Sequence, residues 1–269
     1  MPKLSALGAG ILELFREQRE FRELLWAIIR RDLALRYRNA VMGFGWAVCL
    51  PLLHMLIFTV IFTRVARLET GFPYPLYAFA GLLPWSLLAS SLRFGATSLT
   101  LNPNLVTKVY FPREILPFAS VLVALVDFAV ASCLLVALMF WYGYPATPAL
   151  LFLPLLLLVQ LAFTAALALL VAIANLFYAD VKYILELGIT VWMLATSVVY
   201  PVERVGGTLG SLLAFNPMTP IIDAWRSVLL RGELPPAAPF AGVAVFSVVL
   251  LMLSWLSFHR AEFRFAEEL

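Results

Sequence analysis

The stretch FASVLVALVDFAVASCLLVALMFW, residues 118–141, decides the fold: it carries one charge, Asp127, in the middle of an otherwise apolar run. Wound as a helix at about 1.5 Å per residue, such a run reaches roughly 36 Å, enough to cross about 30 Å of hydrocarbon. Working outward, three further runs of comparable length and character occupy 40–62, 150–177 and 240–258. The run at 150–177 is longer than a span needs and too short to turn and return, so it reads as one tilted or extended helix. Two weaker runs remain. The segment at about 76–101 is interrupted by Gly81 and Pro84, and 184–200 is short with Glu186 near its start. Such interruptions are tolerated where neighbouring helices or a water-filled cavity satisfy the polar groups. The reading is an all-α membrane protein with six transmembrane helices.

Composition agrees. Of 269 residues, 63% are hydrophobic and 13% charged, against about 25% charged in an ordinary soluble domain. So few charges cannot cover a water-facing surface while hiding 21 Phe, 9 Tyr and 7 Trp. A disordered, collagenous or disulfide-stapled chain is excluded as well. Both cysteines, Cys49 and Cys133, sit inside apolar runs and say nothing of compartment.

Six spans put both termini on one side. Fourteen of the nineteen basic residues fall on that side, eight of them before residue 39, and the positive-inside rule makes it cytoplasmic. The first forty residues are charged and lack a short apolar stretch with a cleavage site, so no signal peptide is expected. Residues 1–39 read as an N-terminal interfacial region, and 40–269 as the transmembrane domain. Within the first, Leu14, Phe21, Leu25 and Ile28 form one face of an amphipathic helix over 11–36. Arg16/Glu20 and Arg19/Glu23 pair along the other. Such a helix lies in the headgroup plane, or packs on a partner subunit.

Two connections stand out. The segment 102–117, NPNLVTKVYFPREILP, carries a short helix after Asn102 and Asn104, punctuated by Pro112 and Pro117. Leu105, Val109 and Tyr110 share a face, and the aromatic character suits a docking surface for another protein. Residues 201–237 are long for a connection and too polar to span. Thr219 is expected to cap a helix opening with Pro220 and closing at Gly232. Ile221, Trp225, Val228 and Leu229 stripe one side of it, while Asp223 and Arg226 point elsewhere. With a shorter piece around 208–214, it reads as a lid or re-entrant pair of short helices over 205–231, or as an interfacial loop.

Catalytic chemistry is absent from the pattern. Two histidines, 54 and 259, cannot build a paired-His metal site. The three lysines (3, 108 and 182) follow no glycine-rich phosphate loop, so the chain has no ATP site of its own. Asp127 is the one strong intramembrane acid. It reads either as a proton carrier or as a structural hydrogen-bonding group facing a neighbouring helix or second subunit.

The motif RYRNAVMGFGWAVCLPLLHMLIFTVIF (36–62), the loop 102–117 and NPMTPIIDAWRSVLLRG (216–232) together resemble the permease subunits of ABC-2 polysaccharide exporters, which move lipid-linked O-antigen, capsule or teichoic-acid chains. The resemblance implies a non-enzymatic permease of the bacterial inner membrane. It implies a homodimer served by two separate ATPase subunits that bind ATP and Mg, with membrane lipids around it and no nucleic acid as partner. It makes Asn102, Lys108, Tyr110, Arg113 and Glu114, with Asp180 and Lys182, the contacts to the ATPase. Asn216, Asp223, Trp225 and Arg226 become an outer gate. Phe44, Trp46, Tyr77, Trp85, Trp192 and Tyr200 become candidate channel aromatics, whose rings offer faces to sugars. Arg36 and Arg38 hold a lipid pyrophosphate or only anchor the span in headgroups. An ABC-2 exporter of a small drug or lipid, a proton-coupled carrier using Asp127, and a membrane scaffold are the competing functions.

Overall fold

The computed structural model describes residues 21–38, 43, 45–65, 71–200 and 215–265. Phe44, residues 1–20 and the expected short helix at 208–214 lie outside them. Among the described residues the secondary structure is entirely helical. Helix α1 covers Arg22–Tyr37, and α2 covers Gly45–Val60 with a π-helical continuation, Ile61–Val65. Helix α3 is Tyr74–Thr97, α4 is Pro103–Lys108 and α5 is Ile115–Trp141. A 3₁₀ turn, Pro148–Phe152, leads into α6, Leu153–Phe177. Helix α7 is Val181–Leu194, and α8 is Met218–Arg226 with a π-helical end, Ser227–Arg231. Helix α9, Ala237–Ala261, ends in a 3₁₀ turn, Glu262–Arg264.

Five of these helices are long and apolar enough to cross a membrane. The least hydropathic of the five, α3, is the most buried, whereas in α2 only Met55 is fully buried and the rest is half-buried or exposed. Lipid reverses the soluble rule: large apolar side chains gain nothing by leaving hydrocarbon, so small and weakly polar residues take the helix–helix contacts. Pro148–Phe177 forms one continuous helical span of 30 residues, as the uninterrupted run 150–177 predicts.

The run 184–200 behaves differently. Its helix starts earlier, after Asp180, and ends at Leu194, with residues 195–200 in turns. Fourteen residues reach about 21 Å, short of a bilayer. The apolar run misleads because Val198 and Val199 are buried in a turn rather than in a helix. Helix α4 is also shorter than the segment 102–117, since α5 begins at Ile115 and takes Pro117 into its first turn. A proline there costs no hydrogen bond.

The expected cap at Thr219 is corrected too. Helix α8 opens at Met218 after Pro217, which caps it without a side-chain bond; ahead of Pro217, Asn216 Oδ1 accepts from the Met218 N–H at 3.1 Å and the Asn216 carbonyl accepts from the Thr219 N–H at 3.1 Å. Asn216 serves because its short side-chain acceptor reaches the first free N–H of the helix start, two residues on. The closing signal holds: Gly232 is left-handed, φ 70°, and a Cβ there would sit 2.7 Å from Thr147 Cγ2.

The interior has two parts. The larger surrounds α3 and draws on α5, α6, α8 and half of α9. The smaller gathers one end of the bundle: Ile28 and Ile29 of α1, Val106 of α4, Ile115 of α5, Trp255 of α9 and Phe265.

Candidate functional site

Asp127, the charge in the deciding run, is engaged by α1. Its Oδ2 accepts from Arg36 Nη1 and its Oδ1 from the Tyr37 hydroxyl. Arg36 in turn lies over the Phe94 ring, 3.9 Å from its centroid. A carboxylate whose side chain is only 19% exposed is stable only when paired and hydrogen-bonded, and this knot supplies both while stapling α1 to α5. Burial, aided by the neighbouring Asp127, pushes the Tyr37 hydroxyl up to about 12, so it remains a donor.

Beside the knot lies a cavity of about 600 Å³, walled by α2, α3, α5 and α7. Trp46, Trp85 and Phe94 present rings to it, and His54, Arg93 and Asp127 supply polar groups. Sequence reasoning finds Arg36, Trp46 and Trp85 here. It misses Arg93, His54 and Phe94. Arg93 lies inside α3, within four residues of its end, and its Nε donates to both Glu186 oxygens at 3.0 and 2.9 Å. The signal was present: two weak apolar runs each carry one charge of opposite sign near one end.

The other expected aromatics lie elsewhere. Trp192 meets Trp85 edge-on at 5.6 Å and donates from Nε1 to Asn216 Oδ1 at 2.9 Å. Tyr200 donates to the Leu194 carbonyl. Tyr77 lies under the Arg226 guanidinium, 3.7 Å from its carbon. Arg38 is exposed and away from the cavity lining.

Arg226 organises the junction of α3, the 195–200 turns and α8. It is buried, contrary to the expectation that it points away from the apolar stripe, and it donates to the carbonyls of Ser197 and, at 2.6 Å, Val198. Those carbonyls are free because helix α7 has ended, and a guanidinium fork satisfies two of them at once. Asp223, partly exposed, lies 3.9 Å from Arg226 and accepts from Ser197 Oγ at 3.2 Å. Ile221, Trp225, Val228 and Leu229 are buried as the stripe predicts. Trp225 Nε1 donates to Gln160 Oε1 at 2.7 Å, and Gln160 Nε2 donates to the Pro84 carbonyl at 2.7 Å. Asn216 also donates to the Ala195 carbonyl and to Thr196 Oγ1, at 3.0 and 2.7 Å.

At the end holding the smaller core, Lys108 is exposed and Tyr110 is 94% exposed. Asp180, just before α7, and Lys182, in its first turn, are exposed. Asn102 turns inward to bond the Ser98 carbonyl at 2.8 Å. Glu114 lies beneath the surface and Arg113 is half-buried beside it. Arg113 bridges the carbonyls of Val106 and Glu262, and Glu114, fully buried, accepts from Trp255 Nε1 at 3.1 Å. Among the described residues no group of three or more His, Cys, Asp or Glu could hold a metal ion.

The family described as ABC-2 type transporter matches residues 23–230. The chain is 34% identical over 261 residues to an O-antigen export system permease protein RfbA of Myxococcus xanthus, covering 96% of this chain and 100% of that one. A protein of the same description from Klebsiella pneumoniae is 29% identical over 249 residues, 91% and 94% of the two chains. The polysialic acid transport protein KpsM of Escherichia coli is 20% identical over 233 residues, 84% and 89%.

Proposed function

The chain belongs to the ABC-2 type transporter family, and from that premise we propose that it is the permease subunit of an ATP-driven exporter of a lipid-linked polysaccharide. Two copies form the path across the inner membrane, and two separate ATPase subunits bind ATP and Mg and drive it. The full-length similarity to proteins named for O-antigen export and polysialic acid transport supports the substrate class. The lack of a glycine-rich phosphate loop before any of the three lysines supports a separate ATPase. In this reading both termini are cytoplasmic, α1 lies in the headgroup plane, and α7 with the 195–200 turns serves as a short fifth of six spans. Lys108, Tyr110, Asp180 and Lys182 then face the ATPase, and the Asn216–Arg226 junction forms the outer gate.

The cavity carries the proposal. Its two guanidiniums are already matched, Arg36 by Asp127 and Arg93 by Glu186. What it offers a passing chain is therefore aromatic surface and paired polar groups, which suit neutral sugar rings. The exposed Arg38 is left as the candidate for the pyrophosphate end.

Trp46 is the ring to test, because at 42% exposure its loss spares the packing. A stacked ring contributes about 0.5–1.5 kcal/mol, so Trp46→Ala should cut export two- to tenfold in a cell-surface polysaccharide assay, with membrane levels and ATPase association unchanged. Wild-type export by both Trp46→Ala and Trp46→Ala/Trp85→Phe variants would remove the cavity from the path.

A further inference from the structure

Helix α4, the surface helix at the proposed ATPase contact, has only six residues and buries one side chain, Val106. A helix this short does not hold its own direction in water, because nucleation is unfavourable and few bonds offset it. Something else must aim it. Three bonds from Arg113 do so. Its Nε donates to the Val106 carbonyl at 3.2 Å, near the end of α4. Its Nη1 donates to the Glu262 carbonyl at 2.8 Å, and its backbone N–H to Glu262 Oε1 at 3.2 Å. One guanidinium thus spans α4 and the turn that follows the last span.

That turn is itself immobilised. Phe265 is fully buried, 5.1 Å from the Phe258 ring and 6.4 Å from Phe177. Trp255, one turn before Phe258, packs edge-on against Phe118 at 5.5 Å and bonds Glu114. Glu114 directly precedes α5. The chain around Arg113 is therefore gripped from α9 on both sides.

We infer that the turn after the last span braces the ATPase-facing helix, and that Arg113 is a positioning residue which transmits force from α4 to α9 as well as to α5. The inference rests on the proposed reading that 102–117 meets the ATPase. It differs from a docking role for Arg113: a docking contact needs charge, whereas a brace needs a planar fork reaching two carbonyls, which lysine lacks.

The experiment uses the complete permease–ATPase complex in proteoliposomes and reads polysaccharide exported per ATP hydrolysed. Arg113→Lys and Arg113→Ala should both lower that ratio at least threefold while the ATPase still copurifies. Glu262→Ala, which keeps the backbone carbonyl, should give a smaller loss, and it is the variant to read if the Arg113 changes prevent assembly. A wild-type ratio in Arg113→Lys, or in Glu262→Ala where only that variant assembles, overturns the brace. The underlying reading is tested separately with Lys108→Cys in a Cys49→Ser/Cys133→Ser background. Failure of a thiol-to-amine reagent to link it to the ATPase sinks that reading. Linkage with an unchanged ratio in the Arg113 and Glu262 variants sinks the brace alone.

Discussion

Gly81→Ala tests the junction around Arg226 most directly. A Cβ at Gly81 would lie 2.5 Å from the Val198 carbonyl oxygen and 2.6 Å from Arg226 Nη2. Neither neighbour can yield cheaply. Val198 is backbone in a buried turn, and the guanidinium is pinned to that same carbonyl and held over Tyr77. Overpacking of this kind costs about 1–3 kcal/mol. Displacing the guanidinium forfeits a charge-assisted hydrogen bond of about 1.5–3 kcal/mol. The expected loss is then about 3–5 kcal/mol, roughly 6–20 °C in Tm at about 2–4 °C per kcal/mol for a chain of this size. The assay is thermal unfolding of the purified permease in detergent, followed by size-exclusion recovery after heating. Gly188→Ala and Gly242→Ala are the controls, since a Cβ at either meets nothing within 4 Å; both should match or slightly exceed wild type, alanine being the better helix former. In an Arg226→Ala background the Gly81→Ala penalty should shrink, because one of the two clashing groups has gone. If Gly81→Ala melts within 2 °C of the controls, the argument for a rigid carbonyl–guanidinium junction is refuted.

Three other perturbations follow from the same contacts. Asp127→Ala should destabilise by about 2–4 kcal/mol by stranding Arg36, and Arg36→Ala/Asp127→Ala should cost less than the two singles combined; a proton carrier would instead lose export in Asp127→Asn at unchanged stability. Gln160→Leu strips the Trp225 indole N–H and the Pro84 carbonyl of their shared partner, so about 1–3 kcal/mol of Tm-scale stability should go, part of it regained by adding Trp225→Phe. Glu262 sits above the ordinary carboxylate range because of burial first and the Glu114 charge second, which outweigh Arg113 and His259. A raised acid binds its proton more tightly folded than unfolded, so stability falls as pH climbs through that range. The Tm difference of Glu262→Gln minus wild type should accordingly grow more positive from pH 4 to pH 7, and a flat or opposite trend counts against the buried carboxylate pair.

The deciding run at 118–141 was legible as a span because hydrocarbon length and charge exclusion act on composition alone. The same holds for 150–177 and for the stripe of α8, where periodicity of apolar residues is a local property. The aromatic candidates divide differently. Trp46 and Trp85 reach the cavity while Tyr77 and Tyr200 do not, and nothing in residue type separates them, since rings gather at membrane interfaces and packing junctions alike. Arg113 and Glu114 look like surface charges in a polar connection. Glu114 is buried and Arg113 largely covered because α9 and the turn after it return to the same end of the bundle, a contact 149 residues apart in sequence.

What the sequence determined by itself is the four clear apolar runs long enough to cross a membrane and the place of one charge inside them, at residue 127. Each follows from the cost of putting polar groups in lipid. What only the tertiary structure decided is which charges cancel: Arg36 with Asp127, Arg93 with Glu186, and Arg226 with the carbonyls at the end of α7. Those pairings depend on which helices lie side by side, and hydropathy, which scores each segment against solvent, carries no information about neighbours.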